Sequence, residues 1–112
     1  MASKTLIAAS TRPLILAILS GGEDYGYSII RKVKAYSKRK LEWTDGMLYP
    51  VLQRMEMDGL ISSAWKLRAG QRPRRYYTIT DQGRRELEKE LASWKNVWEA
   101  LRRLAKALPA GE

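Results

Sequence analysis

GMLYPVLQRM, residues 46–55, has the apolar spacing of a helix and a proline in the middle of it. Its apolar residues fall at the i, i+3, i+4 and i+7 positions of one helix face, namely Leu48, Val51, Leu52 and Met55. Pro50 in a helix interior would remove a hydrogen bond and clash with the preceding turn, at a cost of roughly 3 kcal/mol. Two starts are compatible with this pattern. The helix begins at residue 47 or 48, with Pro50 in its first turn, or it begins at Asp45 and is kinked at Pro50.

The residues on either side predict what bounds this helix and what precedes it. Thr44 is a natural N-cap, and Gly59 stands where a glycine that ends a helix is expected. Upstream, a helix is predicted over residues 26–37, with an apolar face formed by Ile29, Ile30, Val33 and Tyr36. A basic connector, SKRKLEW, follows over residues 37–43. A first helix is predicted over residues 11–19, capped by Ser10 or Thr11 and with Pro13 in its first turn.

After Gly59 the apolar period changes from helical to alternating, which predicts a β-hairpin. Alternation in residues 60–68 places Ile61, Trp65 and Leu67 on one face of its first strand. It divides the second strand into two faces, one with Arg75, Tyr77 and Ile79 and the other with Arg74, Tyr76 and Thr78. The stretch AGQRP, residues 69–73, supplies the turn.

A last long helix is predicted over residues 82–107, capped by Thr80 or Asp81. Its apolar residues form an a/d heptad seam over three heptads, namely Leu87, Leu91, Trp94, Trp98, Leu101, Ala105 and Leu108.

The predicted fold is therefore mainly α with a small β-hairpin: a winged helix-turn-helix plus a long C-terminal dimerisation helix. Residues 1–80 form the DNA-binding region, residues 81–108 belong to the same single domain, and residues 109–112 are a tail.

The chain carries a large positive charge for its size. Its 112 residues have a formal net charge of +9, and neither cysteine nor histidine is present. Such a charge indicates polyanionic partners, nucleic acid before an anionic membrane surface. Without Cys or His, Cys/His zinc sites and Ser-His-Asp or Cys-His catalysis are excluded. We expect no enzyme, no cofactor, no metal, no membrane segment and a cytoplasmic location.

The expected DNA-binding residues come from the outer face of the residue 46–55 helix and from the hairpin. They are Thr44, Gly46, Tyr49, Pro50, Gln53, Arg54, Lys66, Arg68, Arg72, Arg74 and Arg75. No acidic residue lies between residues 60 and 80, which indicates an unopposed basic patch, or else a solvated strand edge. Gln53 can read adenine, and Arg54 can read guanine. Alternatively, Tyr49 packs at the start of its helix and Arg54 pairs with Asp58 at i+4.

Two spaced motifs, GMLYPVLQRMEMDGLI over residues 46–61 and RPRRYYTITDQGRREL over residues 72–87, resemble the PadR family of transcriptional regulators. The single long final helix resembles the family's short subgroup, including the lactococcal multidrug-responsive repressor. That resemblance implies a homodimer on palindromic double-stranded DNA. It also implies a planar aromatic ligand on Trp94 at the dimer centre, with Leu6, Ala9 and Pro13 lining the same space. Trp98 replaces an acidic residue there, so both tryptophans can instead be dimer core.

Two other functions fit the same sequence. One is a small-molecule-binding protein with lost or secondary DNA binding, and the other is a sequence-neutral nucleic-acid binder.

Overall fold

The computed structural model describes residues 4–108, without the side chains of residues 4, 6 and 7. The elements follow in the order α1 (Lys4–Ser20), β1 (Asp24–Tyr25), α2 (Gly26–Tyr36), α3 (Asp45–Met57), β2 (Ile61–Lys66), β3 (Arg74–Ile79) and α4 (Asp81–Ala107). The proposed tail, residues 109–112, lies outside the described residues. Among the described helices, none has the length and apolar character needed to cross a membrane.

The hairpin is part of a three-stranded antiparallel sheet in the order β1-β3-β2. The register places Ile61 opposite Ile79 and Lys66 opposite Arg74, while Asp24 of β1 lies opposite Tyr77. The sequence did not predict β1, because two residues are too short to show an alternating pattern. The fold is a winged helix-turn-helix with a long C-terminal helix, and the β2–β3 hairpin is its wing.

The core lies between α1, α2, α3 and one face of the sheet. The predicted apolar face of α3 is confirmed, since Leu48, Leu52 and Met55 are fully buried and Val51 is half-buried. The apolar face predicted for α2 is wrong at its end, where Tyr36 is 85% exposed. Tyr36 is the last residue of α2 and lies almost one turn beyond Val33, the last buried residue of that helix.

Helix α1 begins earlier than predicted and already includes Lys4, so neither Ser10 nor Thr11 caps it. Pro13 lies in the helix interior rather than in the first turn. The preceding stretch KTLIAAS contains good helix formers such as Lys, Leu and Ala. Their helix propensity extends α1 upstream of the start that was predicted from the preference of proline for the first turn.

Helix α3 begins at Asp45, which decides between the two predicted starts. Thr44 caps it: its Oγ1 accepts a hydrogen bond from the Met47 N–H at 3.3 Å, and its carbonyl accepts one from Leu48 at 2.9 Å. The alternative start at residue 47 or 48, with Pro50 in the first turn, is therefore wrong, since Pro50 is the sixth residue of α3. Because proline has no N–H, the carbonyl of Gly46 lacks its i+4 donor.

The hairpin extends beyond the core, so only part of the apolar face that was predicted for its first strand is buried. Ile61 is buried, but Trp65 and Leu67 are 67% and 72% exposed, because the core ends near the base of the hairpin. Tyr76 and Tyr77 are both buried although they point to opposite faces. Tyr77 joins the core, and Tyr76 is covered by the ring of Tyr25, at 5.4 Å between centroids.

Helix α4 is capped by Thr80, whose Oγ1 accepts a hydrogen bond from the Gly83 N–H at 3.0 Å. It is about 40 Å long by the rise of an α-helix, and it packs on α1 and β3. Leu87 is buried, whereas the rest of the predicted seam is exposed in the described chain. Val97 and Leu104 add to this exposed apolar face.

Candidate nucleic-acid interface

A groove of about 860 Å³ separates α3 from the hairpin, and residues at the start of α2 also line it. We call it the α3–hairpin groove. Five predicted DNA-binding residues line it: Tyr49, Gln53, Arg72, Arg74 and Arg75. The sequence did not predict the other lining residues, which are Tyr25, Gly26, Tyr27, Glu56, Trp65, Pro73 and Tyr77. The groove thus combines three guanidinium groups with several aromatic side chains.

Tyr49 holds the start of α2 against α3. A Cβ atom at Gly26 would overlap the Tyr49 hydroxyl and lie 2.8 Å from its Cζ, so this position requires glycine or a displaced tyrosine. Tyr49 is still 44% exposed. The packing alternative for Tyr49 is therefore observed, and Tyr49 still lines the groove.

A hydrogen-bonded cluster joins α3 to both strands of the wing. Ser63 of β2 donates its hydroxyl to the Glu56 carboxylate at 2.8 Å, and Arg75 of β3 donates its Nε–H to Ser63 Oγ at 2.9 Å. Arg75 Nη2 lies 3.4 Å from Glu56 Oε1. Nearby, burial raises the pKa of the Tyr77 phenol, while the charge of Arg75 opposes that rise. The cluster fixes how far the wing stands from α3.

The prediction that the basic residues of the hairpin are unopposed is wrong. Lys66 and Arg68 both pair with Glu23, which lies just before β1, and they do not line the α3–hairpin groove. Their cationic groups also lie over the Tyr76 ring, at 5.9 and 4.7 Å from its centroid. Lys66 and Arg68 therefore bind the wing to the residue before β1. Arg74 also holds β1, because its guanidinium carbon lies 4.2 Å from the centroid of the Tyr25 ring, and it lines the groove together with Arg72 and Arg75.

Glu23→Gln is expected to reduce stability at neutral pH and to have less effect in acid. The hydrogen bond from Lys66 is the main cause that lowers the pKa of Glu23, and the charges of Lys66 and Arg68 add to it against partial desolvation. A carboxylate with a lowered folded-state pKa stabilises the fold above its unfolded value of 4.5, and this contribution is lost as the pH falls through the folded pKa. The difference in melting temperature between wild type and variant should shrink below pH 4.5.

The matched control is Glu88→Gln, an exposed carboxylate on α4 that forms no ion pair within residues 4–108. A pH-independent difference for Glu23→Gln would contradict the assigned ion pairs.

The remaining residues predicted on α3 lie outside the α3–hairpin groove. Thr44 is used as the cap, and Gly46 and Pro50 are exposed. Arg54 forms the alternative i+4 ion pair, with its Nε 3.5 Å from Asp58, and Arg12 binds the other oxygen of the same carboxylate at 3.1 Å. Pro50 and Arg54 instead line a groove of about 500 Å³ beside α1.

The residues predicted to line a ligand site are on two helices. Trp94 and Trp98 are 37% and 61% exposed on α4, while Ala9 is exposed and Pro13 half-buried on α1. The side chain of Leu6 lies outside the described residues.

The fold and the groove define a winged helix-turn-helix protein whose third helix and wing enclose a basic, aromatic surface. Residues 15–89 match the family described as "Transcriptional regulator PadR-like family". The chain belongs to this family.

Two solved structures and one sequence relative are similar to this chain over most of its length. A PadR-like transcriptional regulator from Bacillus cereus strain ATCC 14579 is 30% identical, with 97% of this chain and 100% of that chain covered and a TM-score of 0.82. A PadR-like transcription factor from Bacteroides fragilis is also 30% identical, with 90% and 96% covered and a TM-score of 0.73. A protein of Lysinibacillus sphaericus is 25% identical over 101 residues, which are 90% of this chain and 93% of the relative.

Proposed function

We propose that this chain is a homodimeric transcriptional repressor that binds palindromic operator DNA through α3 and the wing. The observation that carries the proposal is the α3–hairpin groove, which Arg72, Arg74 and Arg75 line from the hairpin side. In this arrangement α3 enters the major groove, and the arginines bind phosphates on the adjoining backbone. Residues 1–80 act as the DNA-binding region and α4 as the dimerisation helix. A regulator of this kind works in the cytoplasm.

The start of α3 is suited to a close approach to DNA. Gly46, Tyr49 and Gln53 follow one another at helical spacings of three and four, and Gly46 has open space around it. The first N–H groups of a helix and its positive dipole end favour a phosphate. Gln53 on the same face can make the bidentate contact that distinguishes adenine.

Gly46→Ala is expected to weaken DNA binding without weakening the fold. No atom lies within 4 Å of a Cβ placed there, so the free protein accommodates alanine, and replacing a helical glycine can add up to about 1 kcal/mol of stability. In the complex the same methyl group lies between α3 and DNA. Losing one close contact should lower affinity by at least about tenfold, within the 1–3 kcal/mol of a good base contact.

The measurement is fluorescence anisotropy on duplexes selected from a genomic pool, together with a melting curve. Gly21→Ala is the control, because Gly21 is exposed at the end of α1 and its added Cβ would make only an ordinary 3.6 Å contact. If Gly46→Ala keeps wild-type affinity, α3 does not approach DNA at its start. Equal affinity for selected and random duplexes would favour a sequence-neutral nucleic-acid binder instead.

A planar aromatic ligand is proposed as the signal that releases the operator, or as the main ligand if DNA binding is secondary. The observation that favours it is the exposed pair Trp94 and Trp98 on the apolar face of α4. Flat aromatic compounds should quench tryptophan emission, and Trp94→Ala should abolish that quenching. Trp65→Ala, which removes an exposed indole from the wing instead, should retain it. Equal losses in both variants would indicate non-specific stacking.

A further inference from the structure

The connector between α2 and α3 presents three consecutive basic side chains that the proposed contacts of α3 and the wing leave unused. Lys38, Arg39 and Lys40 are all exposed, and none of them forms an ion pair within the part of the chain that the structure describes. The nearest acidic residue along the chain, Glu42, pairs with Lys34 at 3.4 Å. This is a compact cationic surface without a counter-charge of its own.

The backbone that carries these cations is held in one conformation. Lys38 and Arg39 have φ values of 53° and 65°, a left-handed region that non-glycine residues rarely adopt and that costs energy unless surrounding contacts enforce it. Those contacts are present: the Arg39 N–H donates to the Lys34 carbonyl at 2.7 Å, and the Lys40 N–H donates to the Ser37 carbonyl at 3.1 Å.

The far side of the connector is also anchored. The Leu41 N–H donates to Ser37 Oγ at 2.9 Å, and the side chain of Trp43 is buried. The three cations are therefore presented by a turn fixed at both ends, so little backbone entropy is lost when a partner binds.

Helix α2 runs from the α3–hairpin groove to this cationic surface. Its N-terminal end, Gly26–Tyr27, lines the α3–hairpin groove, and its C-terminal end leads into the connector. Eleven residues of α-helix span about 16 Å. Lys40 is only four residues before Thr44, the cap of α3. The connector thus adjoins the start of α3, at about one α2 length from the α2 residues that line the groove beside the wing. That length is comparable with the roughly 12 Å width of a major groove.

We propose that Lys38, Arg39 and Lys40 bind backbone phosphates on the side of the major groove opposite the wing. This inference rests on the proposed function, because it assumes that α3 occupies that groove. It adds a third contact region that reads no bases and fixes the orientation of α3 between the two strands.

The test compares two triple variants on the same selected duplexes. Lys38→Gln, Arg39→Gln and Lys40→Gln together remove the connector charges. The matched control combines Arg84→Gln, Arg85→Gln and Lys89→Gln, which removes three exposed charges from the start of α4. That region lies at the other end of α3, where Gln82 Nε2 donates to the Asp58 carbonyl at 3.3 Å. Both variants change the net charge equally.

Each phosphate contact contributes about −0.9 to the slope of log K against log salt. The connector variant should reduce the steepness of that slope by about 2–3 units per protomer, and the control should leave it unchanged. An unchanged slope in the connector variant, or an equal change in both variants, overturns the inference while leaving the proposed function standing. Failure of the wild-type protein to bind any duplex rejects both. If the triple variant does not fold, Lys40→Gln alone should change the slope by about one unit, and no change would again overturn it.

Discussion

Gly83→Ala is expected to lower the free energy of unfolding by about 3 kcal/mol, the upper end of the usual cost of overpacking a core. A Cβ atom at Gly83 would overlap the carbonyl oxygen of Leu60 and lie 2.8 Å from Cγ1 of Ile79, where carbon atoms normally approach to about 3.5–4.0 Å. The oxygen belongs to the backbone immediately before β2, so no side-chain rotation relieves the overlap.

The same junction has other contacts that a shift of α4 would disturb. Thr80 Oγ1 accepts the Gly83 N–H and donates to the Gly59 carbonyl at 2.7 Å, while the Thr80 N–H donates to the Leu60 carbonyl at 3.1 Å. Moving α4 to accommodate a methyl group would lengthen these hydrogen bonds. A loss of about 3 kcal/mol is a large part of the 5–15 kcal/mol that stabilises a typical domain.

Urea denaturation measures the effect, and Gly46→Ala is the matched control because it adds the same atom to a helical glycine with open space around it. Gly83→Ala should unfold at a much lower urea concentration than wild type, and Gly46→Ala should not. Equal midpoints for the two variants would mean that α4 does not approach the Leu60 carbonyl as closely as the structure indicates.

Local signals predicted the helix boundaries well wherever a side chain makes its contact within a few residues. Thr44 and Thr80 each accept a hydrogen bond from the N–H three residues later. Such an interaction can be predicted from a few consecutive residues. Gly59, with φ of 79°, allows the Leu60 N–H to reach the Met55 carbonyl at 3.0 Å and so ends α3. Pro13 misled the prediction, because a proline is also tolerated inside a helix that other residues favour.

Contacts between distant parts of the chain explain what the sequence could not predict about the site. The basic hairpin looked unopposed because its acidic partners, Glu23 and Glu56, lie outside it. Nothing in the sequence indicates that Glu23, 43 residues before Lys66, reaches the wing. Trp65 was placed correctly on the face of Ile61, but alternation cannot show where along a strand the core ends. The groove residues could therefore be predicted only in part.

Leu101→Glu is expected to convert the proposed dimer to a monomer and to lower affinity for a palindromic duplex by at least about 100-fold. Leu101 lies in the middle of the exposed apolar face of α4 and is 55% exposed in the described chain. In a paired seam the new carboxylate would be buried without a partner, which costs several kcal/mol. Loss of the second DNA-binding half removes an avidity factor of about 10²–10⁴.

Asn96→Glu supplies the matched control, because it adds a carboxylate to the same helix on the side away from Leu101. Sedimentation should give a monomer for Leu101→Glu and the wild-type mass for Asn96→Glu, and binding to a single half-site should be similar in both. If Leu101→Glu sediments as a dimer, α4 does not form the interface. If it is monomeric yet binds the palindrome as tightly as wild type, each winged helix binds its half-site independently and dimerisation adds nothing to affinity.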